Sequence, residues 1–473
     1  MKDRQGADEV PDLHLLFRPR SIAVIGVSPD FTKGGGVLWH RISAQGYLGK
    51  IYPISTRYTA INGIRCYHSV SDINEPVDLA IITVPATRVE GTLVECASKG
   101  IKFAVIHAAG FAELGGEGIE LQERMLRIAR SGGIRVVGPN CMGVLCSDVR
   151  LNSIAELQEA ELPLGEIAFC GQSGWATSGF LIDGSARGLK FSTVVSSGNQ
   201  ADLDLVDYIS FFGSDTKTRV ICAYAEGFNR GRELVALTSK LGLIKPIIIW
   251  KSGFSQAGSR AVMSHTASIA GIRETWIGAA QSSGITIAEG LEELVDLAVA
   301  FSAPLFPKGR KVGIIVEAGG GGVAAADACE HFGLEVEPFR PELREQLRGL
   351  LKKYLPPFSG TGNPLDLVWL PRDAALTICV KCMKILAKQF DTIIFMIYKP
   401  LVMPESRPRY IEAMCQLRDE LGLSIFVVPP HSSSGTAFMK EFTAAGLPAF
   451  PSFERAAKAI ATTSRYRERV SYS

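Results

Sequence analysis

The stretch SIAVIGVSPDFTKGGGVLWHRISAQGYLGKIYPIS, residues 21–55, decides how this chain is read. A short run rich in Ile and Val ends at Gly26, a small polar and glycine-rich turn follows, then the helix-like VLWHRISAQ and a second apolar run, KIYPIS. A strand, a helical crossover and a second strand in that order are the unit of a parallel sheet. Working outward, the pattern continues with LAIITVP (79–85), FAVIHAAGF (103–111) and IRVVGPN (134–140). It restarts as EIAFCGQSG (166–174), STVVSSGN (192–199), VICAYAEG (220–227) and PIIIWKSG (246–253). A third series runs VGIIVEAGGGG (312–322), LDLVW (365–369), TIIFMIY (392–398) and LSIFVVPP (423–430).

The expectation is therefore an α/β chain of three tandem parallel-sheet units. Turn signals interrupt the alternation near Cys146 to Pro163 and near Ala303 to Lys311, which sets expected domains at 1–146, 147–304 and 305–473. At 473 residues the chain exceeds what one core usually supports, which agrees with more than one unit.

Composition excludes several classes. With 47% hydrophobic and 21% charged residues the chain is far from the disordered regime. A net charge of +2, from 50 basic and 48 acidic side chains, supplies no long-range field for nucleic acid or an anionic membrane, so neither is an expected partner. No apolar run is long enough to span a bilayer and MKDRQGADEVPD has no apolar leader core, which gives a cytoplasmic expectation. Ten cysteines are scattered through apolar segments, as reduced core thiols are. Cys379 and Cys382 form a C-x-x-C inside the helix-like AALTICVKCMKILAKQF with no second pair at metal spacing, and no metal site is expected on the chain.

In open α/β sheets ligands bind beyond the carboxyl ends of strands, where glycine-rich turns expose backbone N–H groups. In the first unit Gly26, Ser28 and Gly34 to Gly36 form such a turn, although their spacing departs from G-x-G-x-x-G. After the next strand a dinucleotide site would carry an acidic residue. Ser55, Thr56 and Arg57 stand there instead, and hydroxyls with a guanidinium suit a ribose phosphate, as in CoA with its 3′-phosphate. In the second unit Ser173 and Gly174, and a strand later Gly198 and Asn199, mark two successive anion-binding turns.

After the strand PIIIW the segment KSGFSQAGSRAVMSHTASIAG (251–271) begins as a flexible Gly and Ser loop with Lys251 and Arg260 and leads to Ser264-His265-Thr266. His265 lies on a small-residue loop near those turns, and an imidazole of pKa about 6.5 is available as a neutral nucleophile. It can accept a phosphoryl group if its other nitrogen is held by an acceptor, for which Glu226, at the end of VICAYAEG, is the best-placed carboxylate. His14, His40, His68, His331 and His431 are read as structural. His107, at a strand end, is open between lining the CoA site and a packing role.

LFRPRSIAVIGVS, INEPVDLAIITVPA, HAAGFAELGGEG, GPNCMGV, GQSG, SSGNQADLDLVDY, YAEGF, SHTASIAG, EAGGGGVAAADA, LPPFSGTGNPLDL and GLPAFPSFERAAKAI occur in one order along nearly the whole chain. This collinear set resembles the NDP-forming (ADP-forming) acyl-CoA synthetases, relatives of succinyl-CoA synthetase. The resemblance implies a CoA-binding Rossmann-like domain followed by two flavodoxin-like domains, and an α subunit whose phosphohistidine passes a phosphoryl group from ATP to a carboxylic acid before CoA attacks the acyl phosphate. By motif, His265 and Glu226 are the catalytic pair; Gln172, Ser173, Gly174, Gly198, Asn199, Ser264 and Thr266 hold the phosphate; Gly26, Ser28, Lys33, Gly34, Ser55, Thr56, Arg57, Val84, Pro85, Gly110 and Asn140 hold CoA. The sequence departs from the family at Ala267, where Gly is common, and at Glu317 in EAGGGG, where Asn-Ala-Gly-Gly-Pro-Gly is more usual.

No ATP-grasp segment is read, so the expected partner is a separate ATP-grasp β subunit in a heterodimer or heterotetramer, supplying ATP and Mg²⁺, with a small carboxylic acid as substrate. The rival readings are a catalytically idle CoA- or acyl-CoA-binding regulatory protein, against which the His265–Glu226 pair counts, and a nicotinamide-dependent dehydrogenase, against which the missing acidic residue counts.

Overall fold

The structure, a computed structural model, describes residues 12–32, 34–154, 164–260, 271–356, 360–368, 370–396, 404–429 and 435–471. Two compact units divide the chain: 1–182 with 190–291, and 183–189 with 292–473. Every strand named from the sequence forms.

The first unit contains two sheets. One has β1 (Ser21–Ile25), β2 (Lys50–Ile54), β5 (Leu79–Ile82), β6 (Phe103–Ile106) and β7 (Arg135–Val137) in the all-parallel order β2-β1-β5-β6-β7. Beside it a hairpin of β3 (Ala60–Ile61) and β4 (Ile64–Arg65) turns at Asn62-Gly63, both at positive φ, which is the Asn-Gly signature of a tight hairpin. The other sheet has β8 (Gly143–Cys146), β9 (Leu151–Asn152), β10 (Leu164–Gly171), β11 (Phe191–Ser196), β12 (Val220–Ala225), β13 (Ile247–Lys251) and β14 (Thr286–Ala288), in the order β14-β13-β12-β10-β11-β8-β9. Its five long-range strands are parallel, and β8 and β9 add antiparallel at one edge. The short strands β3, β4, β8, β9 and β14 are absent from the sequence reading, because segments this short carry too little periodicity to register.

Strands β1, β5, β6, β11 and β12 are buried along their whole length. This two-sided burial is why they read as unbroken Ile/Val runs rather than as alternating ones. One apolar core runs through both sheets, from Phe17, Ile22 and Trp39 to Val144, Phe212 and Ile249. Arg18 ties the same region polarly, to Asp148 at 2.7 Å and Asp215 at 3.0 Å.

The second unit holds β15 (Val312–Val316), β16 (Leu365–Asp366), β17 (Thr392–Phe395) and β18 (Ser424–Val427) in the parallel order β16-β15-β17-β18, over its own core. Residues 183–189 belong to this unit because Arg187, 7% exposed, bonds Asp296 at 2.9 Å and the Ala449 carbonyl at 2.5 Å, while Arg455 bonds the same Asp296 at 2.9 Å. A buried guanidinium is costly unless its donors are matched, and here both terminal nitrogens are bonded while Nε is sealed without a partner. The helix Leu291–Ser302, expected before a boundary at 304, falls in this unit from Glu292 onward. Cys379 and Cys382 are buried in the helix Arg372–Leu386, and burial raises both thiols, to about 12 for Cys382, the opposite of a reactive pair. Among the described residues no helix is long and apolar enough to cross a membrane.

Candidate functional site

Each of the three sheets reverses its strand order once, and a cleft for ligand opens at such a reversal. In the first sheet this lies between β1 and β5. Gly26 ends β1 at φ +97°, and a β-carbon there would come within 2.7 Å of the Thr83 hydroxyl and 3.1 Å of Val84. The helix Gly34–Ala44 packs so closely that a β-carbon on Gly35 would lie 2.1 Å from the Gly26 carbonyl. Only glycine permits that approach, and a β-carbon added at Gly34, at the start of this helix, would meet no described atom within 4 Å beyond its chain neighbours and own helix. Ser28 Oγ accepts from the Asp30 amide at 3.1 Å and shapes the turn. Across the cleft, Val84 and Pro85 lead into the helix Ala86–Lys99. At the end of β2, Ser55 is buried within its turn whereas Thr56 and Arg57 are exposed. The donor set, backbone amides with an exposed hydroxyl and guanidinium, fits a phosphorylated nucleotide such as CoA.

The second reversal lies between β10 and β12. Gln172 follows β10, and its Oε1 accepts from the backbone amides of Glu226 and, at 3.1 Å, of Gly227 at the end of β12. Its Nε2 donates to Gln200 Oε1 at 3.1 Å, and Gln200 donates to Ser197 Oγ at 2.7 Å. One buried amide thereby links the ends of β12, β10 and β11. Ser173 and Gly174 follow immediately and open the helix Gly174–Ala186, whose first amides point at this cleft.

The Glu226 side chain is 5% exposed, and the Tyr224 hydroxyl, two residues back on the same face, donates to its Oε1 at 3.3 Å. Burial, with the Glu226 charge adding to it, pushes the Tyr224 phenol up to about 12, so it stays a proton donor. Lys251 ends β13 and donates 2.6 Å hydrogen bonds to the carbonyls of Glu226 and Ser252. Burial lowers its pKa to about 8, against the opposing pull of Glu226. The sequence placed Lys251 in a flexible loop, whereas it is the buried last residue of a strand.

Asn199 is placed differently from its neighbours. Its Nδ2 donates to Glu113 at 2.5 Å and Gln122 at 3.0 Å, its Oδ1 accepts from Asn140 at 3.3 Å, and its amide N–H is bound to the Pro139 carbonyl at 3.0 Å. Its polar groups therefore serve the loops of the first sheet rather than the Ser173 turn. Gly198 fits against the same loops, where a β-carbon would lie 2.3 Å from the carbonyls of Pro139 and Asn140. Burial opposes the Glu113 charge, but bonds from Asn199 and from the Gly110 and Phe111 amides outweigh it and hold the carboxyl below its usual range. Gly110 and Asn140, expected at the CoA site, thus meet the second sheet's turn through Glu113 and Asn199.

His107 sits at the end of β6 with its Nε2 sealed from solvent and without a partner, and burial lowers it to about 4. The ring is therefore neutral at neutral pH. His265, Ser264, Thr266 and Lys33 lie outside the described residues. Sequence reasoning missed Tyr224, Glu113, Gln122 and Gln200. Tyr224 had a signal, since a residue two before a site carboxylate on a strand shares its face. Gln200 had one too, as the residue directly after Asn199, whereas Glu113 and Gln122 reach Asn199 from a segment 77 to 86 positions away and had none. No cluster of three metal-ligating side chains occurs among the described residues.

Known proteins match this arrangement in order. A CoA binding domain model matches residues 20–147, a succinyl-CoA ligase like flavodoxin domain 164–301, and a Ligase-CoA domain 312–414. The chain is 38% identical over 357 residues to the acetate–CoA ligase [ADP-forming] II subunit alpha of Pyrococcus furiosus, covering 75% of this chain and 76% of that one. It is 34% identical over 454 residues to the acetate–CoA ligase [ADP-forming] I of Archaeoglobus fulgidus, covering 95% of this chain but 63% of that relative's length. The solved dinucleotide forming acetyl-coenzyme A synthetase 1 of Ca. Korarchaeum cryptofilum, in complex with phosphate and ADP, superposes with a TM-score of 0.85 at 32% identity over 98% of each chain.

Proposed function

The chain belongs to the ADP-forming acyl-CoA synthetases, and from that premise we propose that it is the α subunit of an acid–CoA ligase in which His265 carries the phosphoryl group. The observation that supports this most is the buried side chain of Glu226, whose backbone is fixed by Gln172 and Lys251 and whose carboxyl accepts from Tyr224, at the strand ends from which the Ser173-Gly174 helix also starts. A packed core has no use for that carboxylate, whereas an imidazole that becomes phosphorylated does.

In the proposed sequence a His265 nitrogen attacks the γ-phosphorus of ATP, an N–P bond forms and ADP leaves. Glu226 accepts a hydrogen bond from the other ring nitrogen, which orients the ring and stabilises its positive charge, as the carboxylate of a catalytic triad does. Amides at Ser173 and Gly174, with Ser264 and Thr266, neutralise phosphoryl charge. The acid's carboxylate then attacks phosphorus, the N–P bond breaks and an acyl phosphate forms. The CoA thiolate, left after its proton departs, attacks the acyl carbon and releases inorganic phosphate. CoA is held by the turns at Gly26, Ser28, Lys33 and Gly34, by Ser55, Thr56 and Arg57, by Val84 and Pro85, and by the Gly110 and Asn140 loops. Gly198 and Asn199 act by joining the two sheets, as their contacts with Asn140 and Glu113 support.

An ATP-grasp β subunit would supply ATP and Mg²⁺, in keeping with the relatives named as α subunits. The domain limits that go with this reading are 1–146, 147–304 and 305–473, and the compartment is the cytoplasm. The test is labelling with γ-³²P-ATP in the presence of an ATP-grasp subunit. The expected result is an acid-labile, base-stable label on wild type and none on His265→Ala. CoA binding without any label on wild type would instead establish the idle regulatory reading.

A further inference from the structure

Glu113 stands on the short helical turn that follows β6, and both of its carboxylate oxygens are engaged. Oε1 accepts from the amides of Gly110 at 2.6 Å and Phe111 at 3.1 Å, and Oε2 accepts from Asn199 Nδ2 at 2.5 Å. The same loop is gripped from its other side by the Asn140 amide, which donates to the Ala108 carbonyl at 2.9 Å. Asn199 and Gln200 then face opposite ways from one turn. Asn199 serves the loops of the first sheet, whereas Gln200 Oε1 accepts from Gln172 Nε2 at 3.1 Å, and Gln172 takes up the amides of Glu226 and Gly227. Gln200 lies at φ +51°, a conformation that a residue other than glycine keeps only where its surroundings hold it, and here its bonds to Gln172 and Ser197 do so. One dipeptide therefore carries the Gly110 loop on one side and the phosphoryl site on the other. Glu113 is the charged link between them, and hydrogen bonds to a charged group are about twice as strong as those between neutral groups.

Resting on the ligase reading above, we infer that Glu113 is a positioning residue: it sets the Gly110 loop, and with it the thiol end of CoA, against the Asn199-Gln200 turn. The direction of CoA follows from the sheet. Its phosphates are assigned to the ends of β1 and β2, at Gly26 and at Ser55 to Arg57, while Val84-Pro85 and Gly110 follow β5 and β6. In the order β2-β1-β5-β6 the last of these loops is three strand spacings, about 14 Å, from the first, a span that an extended pantetheine arm crosses. The thiol then arrives where Glu113 meets Asn199. Attack on an acyl phosphate depends steeply on placement, and an error of about 1 Å costs up to about 10²-fold. Glu113 touches neither phosphorus nor the acyl carbon in this scheme and acts through the loop alone. Gln200 keeps its own bonds to Gln172 and Ser197, so removing the Glu113 charge leaves the surroundings of Glu226 in place.

The test is calorimetric titration of the chain with CoA and with adenosine 3′,5′-bisphosphate, the nucleotide end of CoA, alongside phosphohistidine labelling in the presence of an ATP-grasp subunit. Glu113→Gln turns one acceptor into a donor that faces Asn199. It should weaken CoA about tenfold while the bisphosphate stays within about twofold and the label stays at the wild-type level. Adding Asn199→Asp exchanges donor and acceptor across the same contact, with Gln122 turning its own amide to match, and should bring CoA back to within about twofold of wild type. Glu113→Asp keeps the charge but shortens its reach; it should show the same split, and it carries the test if Glu113→Gln does not fold. Glu117→Gln, at an exposed carboxylate in the first turn of the next helix, should change none of the three readouts. Unchanged CoA affinity in Glu113→Gln overturns the positioning role. So does equal weakening of CoA and the bisphosphate, failure of the exchange to restore affinity, or loss of label in Glu113→Gln. Absence of label on the wild type overturns the ligase reading itself, whereas label with an unchanged CoA titration sinks the role of Glu113 alone.

Discussion

The two sheets of the first unit reverse strand order in the same way, yet the clefts they make are built from opposite materials. At β1/β5 the walls are backbone and glycine, with the polar side chains of Thr56 and Arg57 out in solvent. At β10/β12 the walls are buried polar side chains, Gln172, Tyr224, Glu226 and Lys251, each matched by a neighbour. The first arrangement suits gripping a phosphorylated ligand whose own charges stay near water. The second holds a carboxylate and an ammonium in a low-dielectric cleft, where they are costly unless paired and where they act most strongly on a reacting group. Topology supplies the cleft, and side-chain burial decides whether it binds or reacts.

Four substitutions break or sharpen that contrast. The largest effect is expected for Glu226→Gln, which keeps shape and removes charge: phosphohistidine formation should fall about 10³-fold while calorimetric CoA affinity holds, and equal loss of both would erase the distinction between the clefts. Gly26→Ala should do the reverse. A methyl group at φ +97° and 2.7 Å from Thr83 distorts the turn, so CoA affinity should weaken about 10- to 100-fold with labelling of His265 retained. Next comes Gln172→Ala, which strips the buried amides of Glu226 and Gly227 of their acceptor. Urea denaturation should show a stability loss of about 1–3 kcal/mol, and a neutral result would mean the link between strand ends is dispensable.

The smallest effect concerns His107, directly after β6. Its folded pKa of about 4 lies below the ordinary value of 6.5, so the fold favours the neutral ring. That contribution is complete above about pH 6.5 and is lost as pH falls toward 4. His107→Phe should therefore flatten the drop in melting temperature between pH 6.5 and 4, and parallel curves for the two proteins would show that the ring does not titrate with unfolding.

Much of the site was readable along the chain because its groups follow strand ends directly. Ser173, Asn199 and Glu226 each come one to three residues after a buried Ile/Val or Ala-rich run, and the turn after β1 announces itself by its glycines. Asn199 shows the limit of that logic. A small polar turn predicts a phosphate donor, but its amide is consumed by Glu113 and Gln122, residues 86 and 77 positions away in the sequence. Lys251 shows the same limit from the other side, since neighbouring Ser and Gly suggested a flexible loop while burial against Glu226 makes it a clamp.

By itself the sequence determined the alternation of strands and helices, and with it the parallel sheets, because apolar runs buried on both faces leave a local mark in residue order. It also determined which residue types stand at the strand ends. Only the tertiary structure decided that Lys251 reaches the carbonyl of Glu226, 25 positions away, at 2.6 Å, that Gln172 takes up the amide of Gly227, 55 positions away, at 3.1 Å, that residues 183–189 join the second unit through Arg187, and that Trp175 stays open to solvent. Those outcomes depend on hydrogen bonds and packing between distant segments, and pairings of that kind leave no periodicity in a linear chain.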